Sequence, residues 1–181
     1  YVIAGDGKVL ETCPGPKEGL MQVLGVTVQS AKVGETLVLD NEEASTVFTE
    51  ITGLIDRLGE NGQSAASEFT KLDLTNLYDI RLWYEGRIEC IIGSNIQLDY
   101  KLTYGYGNLT DPEKGIGDQE QGVLDLSYLP TKRASYFTPG EGSPGAMPTV
   151  APDGTVPDAP AATATPEPGR GEGIPDGLFT G

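Results

Sequence analysis

Between residues 41 and 59 the chain sets Ala44, Val47, Phe48, Ile51, Leu54, Ile55 and Leu58 at helical spacing, so one face of the segment is continuously apolar. Asp40 or Asn41 can cap the first turn, Glu42 and Glu43 suit the positive end of the helix dipole, and Asn61-Gly62 stands where a stop is expected. The pattern predicts an amphipathic helix of about four to five turns. Its stripe reads as core rather than as a face for a partner, so the rest of the fold must supply a layer to cover it.

Three consecutive runs, 69–74, 79–83 and 87–92, have the alternation of strands and read as an antiparallel meander. A two-residue Glu85-Gly86 loop would pair Leu82 with Glu89 and mix polar with apolar groups on each face. A three-residue Tyr84-Glu85-Gly86 loop, with Gly86 left-handed in a bulge, aligns Tyr78, Ile80 and Leu82 with Ile88, Cys90 and Ile92, and is the expected register. Trp83 then lies on the opposite face, where it either covers a second small core or is exposed for contact.

Around this centre, 1–4 and 8–12 flank Gly5-Asp6-Gly7 as a hairpin, and Cys13-Pro14-Gly15-Pro16 is a loop. Residues 20–24 and 26–29 form short strands broken at Gly25. Residues 97–106 have the spacing of a second, shorter helix, with Ile96, Leu98, Leu102 and Tyr106 apolar and its end weakened by Gly105 and Gly107. The polar stretch 111–121 is a loop. Alternation returns at 122–128, and 134–137 extends the sheet after the Leu129-Pro130-Thr131-Lys132-Arg133 connection, where Pro130 and Pro139 confine it to an edge or a sheet end. The fold class is therefore α+β, a mostly antiparallel curved sheet with one long amphipathic helix and a second shorter one.

The ordered domain is expected over 1–137, followed by a disordered tail over 138–181. Nine of the thirteen prolines fall between Pro139 and Pro175, among Gly, Ala and Thr, so the tail cannot bury enough apolar surface to offset its ordering entropy. Tail and domain share the formal charge of −15, which opposes nucleic-acid binding and weakens any peripheral hold on anionic lipid. The chain opens on Tyr1 already in strand pattern and contains no segment apolar enough to span a bilayer. Any membrane anchor is expected upstream.

Chemistry is hard to build from these residues. The chain has no histidine, which removes the commonest general base and the Ser-His and Cys-His nucleophile pairs, and no phosphate-cradling or nucleophile-elbow motif occurs. Asp73, Asp79, Glu89, Asp99 and Asp125 are available for a carboxylate pair, but acids this numerous are ordinarily a solvated surface. The acidic 111–120 stretch lacks EF-hand spacing. Asn108-Leu109-Thr110 matches a glycosylation sequon, a triplet common by chance. Cys13 and Cys90 lie outside any CxxC pair; Cys90 suits a buried strand position, and a bond between the two stays open. No cofactor and no metal is expected.

Three blocks carry a family resemblance. Lys71-Leu72-Asp73-Leu74 through Asp79-Ile80-Arg81-Leu82 to Tyr84-Glu85-Gly86-Arg87-Ile88 and Ile92-Gly93, then Leu98-Asp99-Tyr100-Lys101-Leu102, then Gly122-Val123-Leu124-Asp125-Leu126-Ser127-Tyr128, together resemble the extracytoplasmic β domain of the bacterial cell-division family FtsQ/DivIB. The opening Tyr1-Val2-Ile3 with Asp6-Gly7-Lys8-Val9-Leu10-Glu11 is similar to the start of that domain. The resemblance implies a membrane protein with a transmembrane helix and a POTRA domain upstream of Tyr1. It implies a non-enzymatic divisome scaffold acting at the septum, binding partners of the FtsB/DivIC and FtsL type by adding a strand beside the last strand. Carried over by position, the partner-binding residues are Leu126, Tyr128, Ala134, Ser135, Tyr136 and Phe137. The competing reading is a wall-associated adhesion or ligand-binding ectodomain with a spacer tail, with an acid-pair hydrolase behind it.

Overall fold

A computed structural model describes residues 1–59 and 63–140. The expected tail lies outside the described residues except for Thr138, Pro139 and Gly140, and so does Asn61-Gly62.

The first hairpin forms as expected: β1 (Val2–Ile3) pairs antiparallel with β2 (Val9–Glu11) around a turn in which Gly7 takes a positive φ of 82°. β3 (Gln22–Leu24) ends at Gly25, whose φ of 75° and close approach to the Thr75 backbone exclude a side chain. β4 (Val28–Ser30) then pairs with β5 (Val38–Leu39), a strand the sequence pattern did not single out.

Helix α1 (Glu42–Leu58) is capped by Asn41, whose side-chain oxygen accepts from the backbone N–H groups of Glu43 and Ala44. Its buried residues are the predicted stripe except Leu58, which is half-buried, together with Thr52. A 3-10 turn (Ala65–Ser67) leads into β6 (Phe69–Asp73), β7 (Ile80–Tyr84) and β8 (Ile88–Gly93). The chain continues through α2 (Leu98–Thr110), β9 (Gly122–Asp125), the single-turn helix α3 (Leu129–Lys132) and β10 (Tyr136–Pro139).

Among the described residues, the main sheet has six strands in the order β10-β9-β8-β7-β6-β3. It is mixed: β8–β9 and β3–β6 are parallel and the other three pairs antiparallel. Cross-strand register lines up one apolar row, Val23, Leu72, Leu82, Cys90, Leu124 and Phe137, across all six strands. Leu72, Leu82, Cys90 and Leu124 are buried, while Val23 and Phe137 at the two ends are half-buried. On the other face the rows carry Lys71, Trp83, Glu89 and Val123, then Asp73, Arg81, Ile91 and Asp125, all half-buried. There the Lys71 ammonium lies 3.3 Å from the Trp83 ring centroid and Arg81 bridges Asp79 and Glu89.

The β7–β8 register corrects the expectation. The loop is Glu85-Gly86-Arg87, with Tyr84 opposite Ile88 and Leu82 opposite Cys90, two residues from the predicted pairing. Gly86 is left-handed, as expected, and so is Glu85. Tyr84 stays in the ladder because its ring is buried edge-on against Phe69, with centroids 5.6 Å apart. A shift of two preserves the face of every side chain, so Ile80, Leu82, Ile88, Cys90 and Ile92 all reach the core. Tyr78 does not; it is 79% exposed in a turn where its N–H donates to the Asn76 side chain.

The second helix is also longer than predicted. Gly105 is buried in it, and a Cβ there would lie 2.5 Å from Leu126 Cδ1, so the glycine that weakens the helix intrinsically is what lets it sit on the sheet. Ile96 precedes the helix and is exposed. Cys13 is half-exposed, Cys90 is buried with burial pushing its thiol up to about 12, and the two are not bonded.

Candidate functional site

β10 ends the sheet, so its position follows from the segment before it. Asp125 Oδ1 accepts from the Ser127 N–H and hydroxyl, turning the chain out of β9, and Pro130 opens the short α3. Arg133 closes α3 in a left-handed conformation at φ 51°, its N–H donating to the Leu129 carbonyl. The chain then returns antiparallel to β9, pairing Tyr136 with Asp125 and Phe137 with Leu124.

The hydrogen-bond phase of this strand is fixed. Gly140 N–H donates to the Gln121 carbonyl, while Gly122 and Leu126 N–H donate the other way, to Arg87 and Ile91 of the β8 side. By alternation Tyr136 and Thr138 direct their peptide groups to β9, and Phe137 directs its N–H and carbonyl away from the sheet. Pro139 has no N–H to offer, so the open edge presents the Phe137 donor and acceptor with carbonyls on either side.

Two aromatic rings stand beside that edge. Tyr128, 43% exposed, and Tyr136, 50% exposed, meet edge to face with centroids 6.1 Å apart and planes at 85°. The Lys132 ammonium sits 4.4 Å from the Tyr128 ring centroid. Lys132 and Arg133 are exposed, and among the described residues neither is in an ion pair, which makes this corner locally positive on an acidic chain.

The structure thus gathers five of the expected residues in different ways and removes one. Tyr128 and Tyr136 form the exposed pair. Ser135 is half-buried and its hydroxyl accepts from Asn108 Nδ2 at 3.1 Å; Ala134 is half-buried in the lead-in to β10. Phe137 packs on the core from the sheet end. Leu126, 1% exposed against Gly105, is a core residue and cannot touch a docked chain in this structure. Lys132 went unnoticed in the sequence, although its spacing of four from Tyr128 becomes a signal once Pro130 is read as a helix start.

An open pocket of about 440 Å³ is lined by Asn108, Ile116, Leu124, Ser135, Phe137 and Pro139. A second, of about 750 Å³, runs along β3 and α1 with Leu20, Met21, Val23, Leu37, Phe48 and Ile55 in its walls. Four of the five acids considered for a carboxylate pair are engaged elsewhere: Asp79 and Glu89 share Arg81, Asp125 holds Ser127, and Asp73 accepts from the Thr75 N–H at 2.9 Å. Among the described residues no cluster of acids or cysteines could hold a metal ion, and no helix is long and apolar enough to cross a membrane.

Over 130 residues, 71% of its length, the chain is 30% identical to the cell division protein DivIB of Clostridium botulinum strain Hall. It is 28% identical over the same length to the DivIB of Clostridium botulinum strain Loch Maree. In both comparisons the match covers 47% of the relative, so the chain spans about half the length of the curated relatives it matches. No protein-family model and no solved structure matches the chain.

Proposed function

The chain is of the FtsQ/DivIB type, and from that premise we propose that it serves cell division as a non-enzymatic scaffold domain on the outer side of the membrane. Its partners are proteins of the FtsB/DivIC and FtsL type, received at the septum by strand addition along β10. The anchor of the whole protein lies upstream of Tyr1.

The observation that carries this reading is the open β10 edge, where the Phe137 peptide group faces outward beside the exposed Tyr128 and Tyr136 rings. A few added backbone hydrogen bonds contribute only about 0.5–1.5 kcal/mol each, net. A buried aromatic anchor can contribute ~2 kcal/mol or more, so the tyrosine pair supplies what the short edge lacks.

Replacing Tyr128 and Tyr136 together by Ala is expected to weaken capture of a DivIC-type partner by at least about tenfold, since both rings are hot-spot candidates. The unfolding midpoint should stay close to that of the parent, because both rings are already exposed. Undiminished capture overturns the β10 site. The apolar groove along β3 favours a second reading, a ligand-binding ectodomain, which saturable binding of a fluorescent apolar probe that is lost in Val23→Glu would support.

A further inference from the structure

β10 is an end strand of the main sheet, as β3 is at the opposite end. It has a ladder on one side only, and its inward residue Phe137 is half-buried, packing on the core while lining a gap of about 440 Å³ beside it. Packing therefore holds it less tightly than it holds the buried residues of β8.

What spans the gap is polar. Asn108, in the last turn of α2, donates from Nδ2 to the Ser135 hydroxyl at 3.1 Å, one residue before β10 begins. The Asn108 carbonyl accepts from the Ile116 N–H at 2.7 Å, which folds the 111–121 loop back on the helix end. At the far end of that loop Arg87 donates to the Gly117 and Glu120 carbonyls at 3.1 and 3.0 Å. The loop is pinned at both ends, and Asn108 ties it to the lead-in of β10. The sequon triplet also gains a bland explanation: Asn108 is half-buried and bonded, and Thr110 donates to the Tyr106 carbonyl within the helix.

We infer that Asn108 is a positioning residue for the docking edge, holding β10 through Ser135 so that the Phe137 peptide group is preset to receive an added strand. The inference rests on the strand-addition reading above. A preset edge loses less ordering entropy on binding, so the tie acts on affinity without touching the partner.

The test compares Asn108→Leu, which keeps the size and loses the bond, with Asn108→Asp, whose carboxylate can accept from the Ser135 hydroxyl. In Asn108→Leu, amide exchange at Thr138 and Gly140 is expected to rise about tenfold relative to β8 amides. Capture of the DivIC-type protein of the source cell should weaken about fivefold. Asn108→Asp should restore both, which a loss of bulk packing would not allow. Exchange unchanged in Asn108→Leu, or equally fast in Asn108→Asp, overturns the inference. Faster exchange with undiminished capture also overturns it, and the Tyr128/Tyr136 double variant then shows which idea failed. If that variant loses capture, strand docking stands and only the Asn108 role falls; if it does not, both fall.

Discussion

Leu82 and Phe137 belong to one transverse row of the same sheet, yet they live under different constraints. Leu82 has strands on both sides and is 1% exposed; Phe137 has one neighbouring strand, is half-buried beside a pocket and has an outward-facing peptide group. Both positions read as apolar strand residues. The difference is that the centre of the sheet stores stability whereas its end keeps bonding capacity unspent, which is what a docking edge requires.

Breaking the centre should have the largest effect. Leu82→Ala removes buried methyl groups where neighbours cannot collapse, and is expected to cost about 3 kcal/mol, measured by urea unfolding followed through Trp83 fluorescence. A loss below about 1 kcal/mol would mean that the centre is no better packed than the edge.

Gly105→Val comes next, because a Cβ at that position meets Leu126 at 2.5 Å and would lift α2 from the sheet. It should cost about 2 kcal/mol in the same measurement, despite the better intrinsic helix propensity of most residues over glycine.

The edge itself sharpens the comparison. Phe137→Ala is expected to lower stability by about 1 kcal/mol, since its ring is only half-buried, whereas Tyr136→Ala should fall within about 0.5 kcal/mol of the parent. Both should weaken capture. Equal stability losses would erase the distinction between an inward anchor and an outward contact.

The smallest effect concerns acid. Hydrogen bonds from Thr75 hold the Asp73 carboxyl below the usual carboxylate range. Its contribution is present above the ordinary carboxylate pKa and is lost as the pH falls through the lowered one. Asp73→Asn should therefore flatten the acid limb of the stability profile slightly, an effect discounted by solvent because the group is only half-buried. An unchanged limb would show that this corner of β6 adds nothing.

Much of this was legible beforehand where a pattern repeats over many residues. The α1 stripe, its cap region, the three central strands and the placement of 134–137 at a sheet end all followed from periodicity and from proline. Two-residue strands such as β5 carry too little pattern to read, and the parallel β3–β6 pairing joins segments far apart in the chain. Within the site, Tyr128 and Tyr136 could be nominated, but their stacking, the burial of Leu126 and the tie from Asn108 could not.

The sequence by itself determined the inward face of α1 and of the central strands, because alternation and helical spacing are local and a register slip of two leaves those faces unchanged. Only the tertiary structure decided which peptide groups of the end strand β10 stay open and what holds it there. Those depend on long-range pairing and on the Asn108–Ser135 hydrogen bond, and neither leaves a periodic trace in the chain.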